Sequence, residues 1–302
     1  MDLRIMTEPQ RGASYRAQLS LARAAESLGF SAFFRSDRYP TTPAASVAGL
    51  TDAWITLAGL ARDTSTIRLG TLTTQATVRL PSLLAVQVSQ VDQMSDGRVE
   101  LGLGAGSGDD EHRVYGFPFP PDRNARLEEQ LGMLFSLWNG PEGSAHTHKG
   151  TYYQLDGFPA LPKSVQGSIP VIISGLDAPR APVLAADFAN EYNAPYATVA
   201  EASAQFECVR TVADYRDDLV YSVTVPACVG RDEAEVTRRA EALGRTAAEL
   251  RANGVAGTPD QAVDTIMRYA EAGASRMYLY VQDMDDLGHL ELIASAVRPQ
   301  LT

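Results

Sequence analysis

The chain is poor in cysteine and histidine, with two and four residues in 302, and it carries no excess of basic charge. Two cysteines, Cys208 and Cys228, make no disulfide framework on a chain this long; such frameworks belong to small secreted domains. No apolar run approaches the roughly 20 residues that a membrane-spanning helix requires. No Asn-x-Ser/Thr sequon occurs, and Met1-Asp2-Leu3-Arg4 enters strand-like sequence at once rather than a basic-then-apolar leader. These absences make the cytoplasm the expected location. Asp and Glu outnumber Lys and Arg by 37 to 26, a formal net charge of −11. An acidic surface repels phosphate backbones and anionic lipid, so neither nucleic acid nor a membrane is an expected partner. A local basic pocket for an anionic cofactor remains compatible with that surface.

With 45% hydrophobic residues the chain can bury a sizeable core. Its pattern alternates between short apolar runs and segments of helical spacing. Strands are expected at Leu3–Thr7, Ala32–Phe34, Ile67–Thr74, Val99–Leu103, Pro170–Ser174, Glu191–Asn193, Leu219–Val229 and Arg276–Val281. The first helix is capped by Ser14 and stopped by Gly29; the next covers Asp52–Arg62. Pro81 opens a third, with Gly97 just past its end. Further helices are expected at Arg123–Trp138, Pro179–Ala189, Val199–Tyr215, Glu233–Arg251, from the Thr258-Pro259 start to Gly273, and at Leu287–Val297.

Asn139–Ser168 is rich in Gly and Pro and reads as a long insertion loop. No composition shift marks a second domain. Eight strands each followed by a helix predict an α/β fold, a single (β/α)8 TIM barrel over residues 1–302; an open doubly wound sheet is the second closure.

In such a barrel the active site lies at the carboxyl ends of the strands. That rule selects Thr7 and Glu8, Ser36-Asp37-Arg38, Leu72-Thr73-Thr74, Gly104 through His112, Ser174-Gly175, Asn193 and Tyr280-Val281. The run Gly102-Leu103-Gly104-Ala105-Gly106-Ser107-Gly108 frees backbone N–H groups that could approach a cofactor. It misses the dinucleotide fingerprint, since the third glycine position holds Ser107 or Asp109, and no Lys-Ser/Thr follows as in a P-loop. A crowded strand-to-helix turn explains it equally well.

A carboxylate beside an arginine at Asp37-Arg38 could orient a polar ring or relay a proton, though a surface ion pair is the commoner outcome of such a pair. Ser174-Gly175 could face a phosphate or form an ordinary turn. Asp109, Asp110, Glu111 and His112 read as a solvated helix start rather than a metal site, and His146-Thr147-His148 has no third ligand in sequence. The chain has no Gly-x-Ser-x-Gly elbow to anchor a hydrolase triad.

An ordered series of segments carries a resemblance over nearly the whole chain. It runs through Phe34-Arg35-Ser36-Asp37-Arg38-Tyr39, Ile67-Arg68-Leu69-Gly70-Thr71, Arg79-Leu80-Pro81, and Gly97-Arg98-Val99-Glu100-Leu101-Gly102-Leu103-Gly104-Ala105-Gly106. It continues through Glu111-His112, Tyr115-Gly116-Phe117-Pro118-Phe119, Gly150-Thr151-Tyr152-Tyr153, Leu161-Pro162-Lys163 and Pro170-Val171-Ile172-Ile173-Ser174-Gly175. It ends with Ala186-Asp187-Phe188-Ala189-Asn190-Glu191-Tyr192-Asn193, Gly257-Thr258-Pro259 and Tyr269-Ala270-Glu271-Ala272-Gly273. In this order the segments resemble the luciferase-like monooxygenase superfamily, in its branch that uses the deazaflavin coenzyme F420.

The resemblance implies a barrel that binds F420, or alternatively FMN, at its carboxyl-end mouth. It implies Asp37 beside the ring, and a non-proline cis peptide at Leu72–Thr73 supporting one ring face, with Thr74 adjoining. It also implies Ser174, Gly175 and Leu176 around the phosphate, with Gly106 and Ser107 close by.

Three departures stand out. Arg38 replaces the family's usual His, Ser107 replaces a frequent Trp, and Ala105 stands where bacterial luciferases carry an Arg that reaches the FMN phosphate. The last tilts the choice toward the deazaflavin. The expected activity is hydride transfer between F420 and a small organic substrate, as C=C or C=N reduction or as alcohol oxidation, with Asp37, Arg38 and Asp110 as proton donor or electrostatic support. The alternatives are an FMN-dependent monooxygenase and a non-catalytic barrel that binds a ligand or partner. The family's habit makes a homodimer the expected assembly.

Overall fold

A computed structural model of the chain describes residues 1–41, 50–106, 108–176, 180–214 and 216–301. Its strands are β1 (Asp2–Thr7), β2 (Ala32–Arg35), β3 (Arg68–Gln75), β4 (Val99–Gly104), β5 (His146–Lys149), β6 (Gln154–Phe158), β7 (Val171–Ser174), β8 (Glu191–Pro195), β9 (Val220–Val229), β10 (Val255–Gly257) and β11 (Arg276–Tyr280). Strands β9, β11, β1, β2, β3, β4, β7 and β8 pair in that order, all parallel, and the β8–β9 pairing closes the ring. The TIM barrel is therefore the architecture, and the open sheet is excluded.

The period of two along each strand sorts side chains between two layers. In β1, Leu3 and Ile5 join the core shared with the helices, while Met6 joins Phe34, Leu72, Ile172 and Tyr278 inside the ring. Arg4 also points inward, between the Phe34 and Tyr278 rings, and donates to Glu100 at 2.7 Å. Glu100 accepts a second guanidinium from Arg68. A buried cation with a carboxylate partner and further hydrogen bonds is tolerated where a lone one is not.

The helices around the ring are α1 (Tyr15–Ser27), α2 (Ala53–Asp63), α3 (Pro81–Ser95), α4 (Asp109–Tyr115), α5 (Arg123–Asn139), α6 (Arg180–Phe188), α7 (Val199–Val212), α8 (Glu233–Ala242), α9 (Ala247–Ala252), α10 (Pro259–Glu271) and α11 (Leu287–Leu292). Their starts follow local chemistry. Ser14, Asp52 and Thr198 each accept a backbone N–H of the first turn, and Pro81 and Pro259 open α3 and α10. Among the described residues no helix is long and apolar enough to cross a membrane.

The structure differs from the sequence expectation in three places. The segment 139–168 is not irregular throughout: β5 and β6 form an antiparallel hairpin. Glu129 of α5 anchors it by accepting the backbone N–H groups of Thr151, Tyr152 and Tyr153 and facing His148 Nε2 at 3.1 Å. The expected single helix Glu233–Arg251 is two helices. Gly244 takes φ +67°, and Thr246 with Glu249 builds a capping box that restarts the chain as α9. The third difference is β10, which extends the sheet beyond β9.

Candidate active site

A cavity of about 460 Å³ opens at the carboxyl ends of the barrel strands. Each strand end contributes in turn: Glu8 follows β1, Ser36 and Arg38 follow β2, Leu72, Thr73 and Gln75 close β3, and Gly104 to Gly106 leave β4. Across the opening stand Ser174 and Gly175 at the end of β7, Asn193, Pro195 and Tyr196 around the end of β8, and Thr224 of β9. Leu127, Ala181 and Leu184 from α5 and α6 supply an apolar flank, with Asn124 and Arg180 as its polar members. An apolar pocket with a few placed polar groups is the form of a small-molecule site.

The Leu72–Thr73 peptide is cis, and the β3–β4 ladder shifts register between Thr71 and Thr74 at the same point. Leu72 and Thr73 both line the cavity. The glycine run divides by role. At Gly102 a side chain would overlap the Thr71 carbonyl oxygen, so that glycine serves strand packing. At Gly106, with φ +87°, a Cβ would stand 2.5 Å from Thr77 Oγ1 and 3.1 Å from Gln75 Oε1, so that glycine lets the cavity wall pack closely on Thr77 and Gln75. Ser107 lies outside the described residues.

Asp37 does not line the cavity. It is buried behind the β3 bulge, where Arg79 Nε and Nη2 reach its two oxygens at 2.9 and 2.7 Å and Thr74 Oγ1 donates at 3.0 Å. Its backbone N–H donates to the Thr73 carbonyl at 3.4 Å, which ties it to the cavity wall. Thr74, expected at the cofactor, sits in this supporting layer instead. Arg79 also holds Asp52, which accepts from the Tyr39 hydroxyl at 2.9 Å. Burial alone would lower the Arg79 guanidinium, but Asp37 and Asp52 hold it above its ordinary value. Arg35, wholly buried, is pulled down to about 10 by desolvation and donates to hydroxyls and carbonyls of Thr51, Thr56 and Asp52.

Of the three expected catalytic residues, Arg38 lines the cavity and its Nε donates to Glu111 at 3.3 Å. Asp110 is corrected: it faces solvent from α4 and pairs with Arg113 at 2.8 Å, with side chains about 70% exposed at 73% and 71%. The helix turns the Asp110 carboxylate outward and the neighbouring Glu111 inward. Ser174, Gly175 and Leu176 lie on the rim as expected, and Ser174 Oγ donates to Asn193 Oδ1 at 3.0 Å.

Sequence reasoning pointed at Glu8 by strand position but assigned it no role. In the structure its carboxylate accepts from the Tyr196 and Tyr280 hydroxyls, each at 2.9 Å, and from Arg11. Burial, then the Glu8 charge, raises both phenols above their ordinary values, so they keep their protons at neutral pH. Gln75 was missed because β3 was expected to end one residue earlier. It is buried at the cavity wall, and its Oε1 has no hydrogen-bond partner. Tyr196, at φ +54°, and Arg180 carry no local signal that marks them as site residues. Among the described residues, no three His, Cys, Asp or Glu side chains are grouped to hold a metal ion.

The barrel fold is shared by known proteins. A family model described as luciferase-like monooxygenase matches residues 2–252, and the chain belongs to that family. An uncharacterised protein of Mycobacterium tuberculosis is 33% identical over 167 residues, covering 50% of this chain and 58% of that protein. The chain thus spans little more than half the length of that relative. The F420-dependent glucose-6-phosphate dehydrogenase of Beutenbergia cavernae is 26% identical over 322 residues, covering 95% of this chain and 93% of the relative. An F420-dependent secondary alcohol dehydrogenase, solved with an F420–acetone adduct, superposes with a TM-score of 0.84 at 19% identity, covering 100% of this chain and 99% of that one. At that identity the likeness is one of fold.

Proposed function

We propose that the chain is a coenzyme F420-dependent oxidoreductase that transfers a hydride between the deazaflavin and a small organic substrate. The observation that carries this reading is the cavity of about 460 Å³ at the carboxyl ends of the strands, walled on one side by Leu72, Thr73 and Gly104 to Gly106 and on the other by Ser174, Gly175 and Arg180. The naming of the full-length Beutenbergia relative supports the deazaflavin over FMN.

The residues present fit the group. Leu72 and Thr73 offer a wall for one ring face, and Gly104 and Gly106 let the chain approach the ring edge. Ser174, Gly175 and Arg180 supply polar and cationic groups for an anionic tail at the opposite rim. When bound, the deazaflavin supplies a hydride at a ring carbon as a two-electron carrier. The protein's part is to hold the two reactants together and to place charge. Arg38 and Glu8 stand on the rim where a substrate would meet the ring, and Tyr196 holds a proton at its hydroxyl oxygen against Glu8. Asp37 acts through Thr73 as a positioning residue. The substrate reads as a small polar molecule undergoing C=C or C=N reduction, or alcohol oxidation.

We also propose a homodimer in the cytoplasm. Its support is the packed pair α2 and α3, which exposes Ile55, Leu80 and Leu83 to solvent. A Leu83→Asp variant sedimenting as a monomer where the parent is a dimer would bear this out.

Fluorescence-quenching titration with oxidised F420 and with FMN tests the function. Micromolar binding of F420 supports it. Binding of FMN alone moves the reading to a flavin monooxygenase, and binding of neither moves it to a non-catalytic barrel.

A further inference from the structure

The rim at the end of β7 is held by a tyrosine that is not itself part of the cavity wall. Along β8 the side chains alternate between the two faces of the sheet. Asn193 lines the cavity, while Tyr192 points to the outer layer, where it is wholly buried and meets the Phe206 ring edge-on at 6.3 Å. From there its hydroxyl donates to the Gly175 carbonyl at 2.6 Å. Burial pushes the phenol above its ordinary value, so it keeps the proton that it donates.

The Gly175–Leu176 peptide is trans, so its carbonyl and its N–H point to opposite sides. The carbonyl is drawn outward to Tyr192, which turns the Leu176 N–H the other way, to the barrel-mouth side. That N–H has no hydrogen-bond partner among the described residues. Gly175 and Leu176 both line the cavity, and so does Arg180 at the start of α6. The preceding peptide is fixed separately: the Gly175 N–H donates to the Asn193 carbonyl at 3.3 Å, and Ser174 Oγ donates to Asn193 Oδ1 at 3.0 Å. Glycine permits the Gly175–Leu176 peptide to reverse. Reversed, it would set a carbonyl oxygen toward the cavity in place of a donor, and an anion would be repelled.

We propose that Tyr192 is a positioning residue for the anionic tail of the cofactor: its hydroxyl holds the Gly175 carbonyl in the outer layer, so that the Leu176 N–H of the same peptide faces the cavity and donates to the tail phosphate. This rests on the cofactor reading above and deepens it. Arg180 supplies the charge at this rim, and the oriented peptide supplies the directed donor.

The test compares the dissociation constants of F420 and of the deazaflavin that ends at the ribityl hydroxyl and lacks the phosphate tail, read by fluorescence quenching. The ratio of the two isolates what the tail contributes. Wild type should bind F420 about tenfold more tightly or better. Tyr192→Phe keeps the buried ring and removes the hydroxyl. It should weaken F420 about tenfold and leave the tailless probe within about twofold, the loss expected of one hydrogen bond to a charged group. A merely structural role for Tyr192 would weaken both probes alike. Leu176→Pro removes the N–H itself. It should shrink the ratio by a similar factor, and Tyr192→Phe added to it should take nothing further from the ratio. If Tyr192→Phe does not fold, Tyr192→Met takes its place.

An unchanged ratio in the Tyr192 variant, a full further loss from Tyr192→Phe in the Leu176→Pro background, or a wild type that binds the two probes equally overturns the proposal. If wild type binds neither deazaflavin, the cofactor reading has failed instead, and the same ratio is measured with FMN and riboflavin. A ratio that Tyr192→Phe leaves unchanged there, or binding of neither flavin, overturns the positioning role too.

Discussion

Arg79 closes a two-point fork on Asp37, Nε to Oδ2 at 2.9 Å and Nη2 to Oδ1 at 2.7 Å, across 42 residues of chain. The Asp37 side chain is 2% exposed and that of Arg79 11%. Truncating one member of a buried pair leaves the other charge without a partner, which costs about 3–5 kcal/mol. Arg79→Met, which strands both Asp37 and Asp52, should lower stability by roughly that amount in urea unfolding, and Asp37→Asn by less. The double variant should fall well short of the sum. Additive losses would mean that the fork contributes nothing as a unit.

Asp110 should be dispensable. Its partner Arg113 is as exposed as it is, and an exposed i,i+3 pair contributes about 0.5 kcal/mol or less. Asp110→Asn is expected to leave F420 affinity, turnover and melting temperature unchanged. A large drop in kcat would restore Asp110 to the catalytic set.

Two glycines of one run should respond differently to alanine. At Gly102 the added methyl meets a backbone carbonyl of the neighbouring strand, which cannot yield without opening the β3–β4 pair. Gly102→Ala should therefore cost folding itself, about 3 kcal/mol or more by the measure of overpacked cores. At Gly106 the methyl meets the Thr77 hydroxyl and the front of Gln75, and φ +87° adds backbone strain of about 1 kcal/mol. Gly106→Ala should fold and lose cofactor affinity. Comparing soluble yield and quenching titrations for the two variants separates these outcomes.

His289 gives the fold a dependence on pH away from the cavity. It is buried, and its Nε2 accepts the Val229 backbone N–H at 2.9 Å, so the neutral ring is the one that fits. Desolvation, then the nearby Arg239 charge, lowers it to about 4 from an ordinary 6.5, against smaller opposing effects of Asp286 and Glu235. The unfolded chain thus binds a proton between these values that the folded chain refuses. Stability from this site is complete above pH 6.5 and is lost as pH falls toward 4, on the order of 3 kcal/mol in all. His289→Gln keeps an acceptor for Val229 and removes the titration. Its urea midpoint should gain on wild type as pH drops from 7 to 4.5, and parallel profiles would refute the assignment.

The order of strands and helices was legible in the sequence because it depends on neighbours a few residues apart. Short apolar runs marked β1 to β4, and Ser14, Asp52, Pro81 and Thr258 marked helix starts through contacts within one turn. Strand ends then pointed to Glu8, Arg38, Leu72, Ser174 and Asn193, all of which line the cavity. The hairpin at β5 and β6 was not legible, since Glu129 that anchors it lies on another element. The break between α8 and α9 left a local sign in Gly244, which helical charge patterning outweighed.

What only the tertiary structure decided is which polar side chains face the cavity. Asp37 and Gln75 both stand at strand ends. Asp37 is drawn behind the wall by the Arg79 guanidinium just before α3, while the Gln75 amide nitrogen at the wall is held by the Glu111 carboxylate of α4. Strand position tells how near a residue comes to the site. The direction of its polar atoms is settled by hydrogen-bond partners brought in from distant parts of the chain, and no local pattern encodes those.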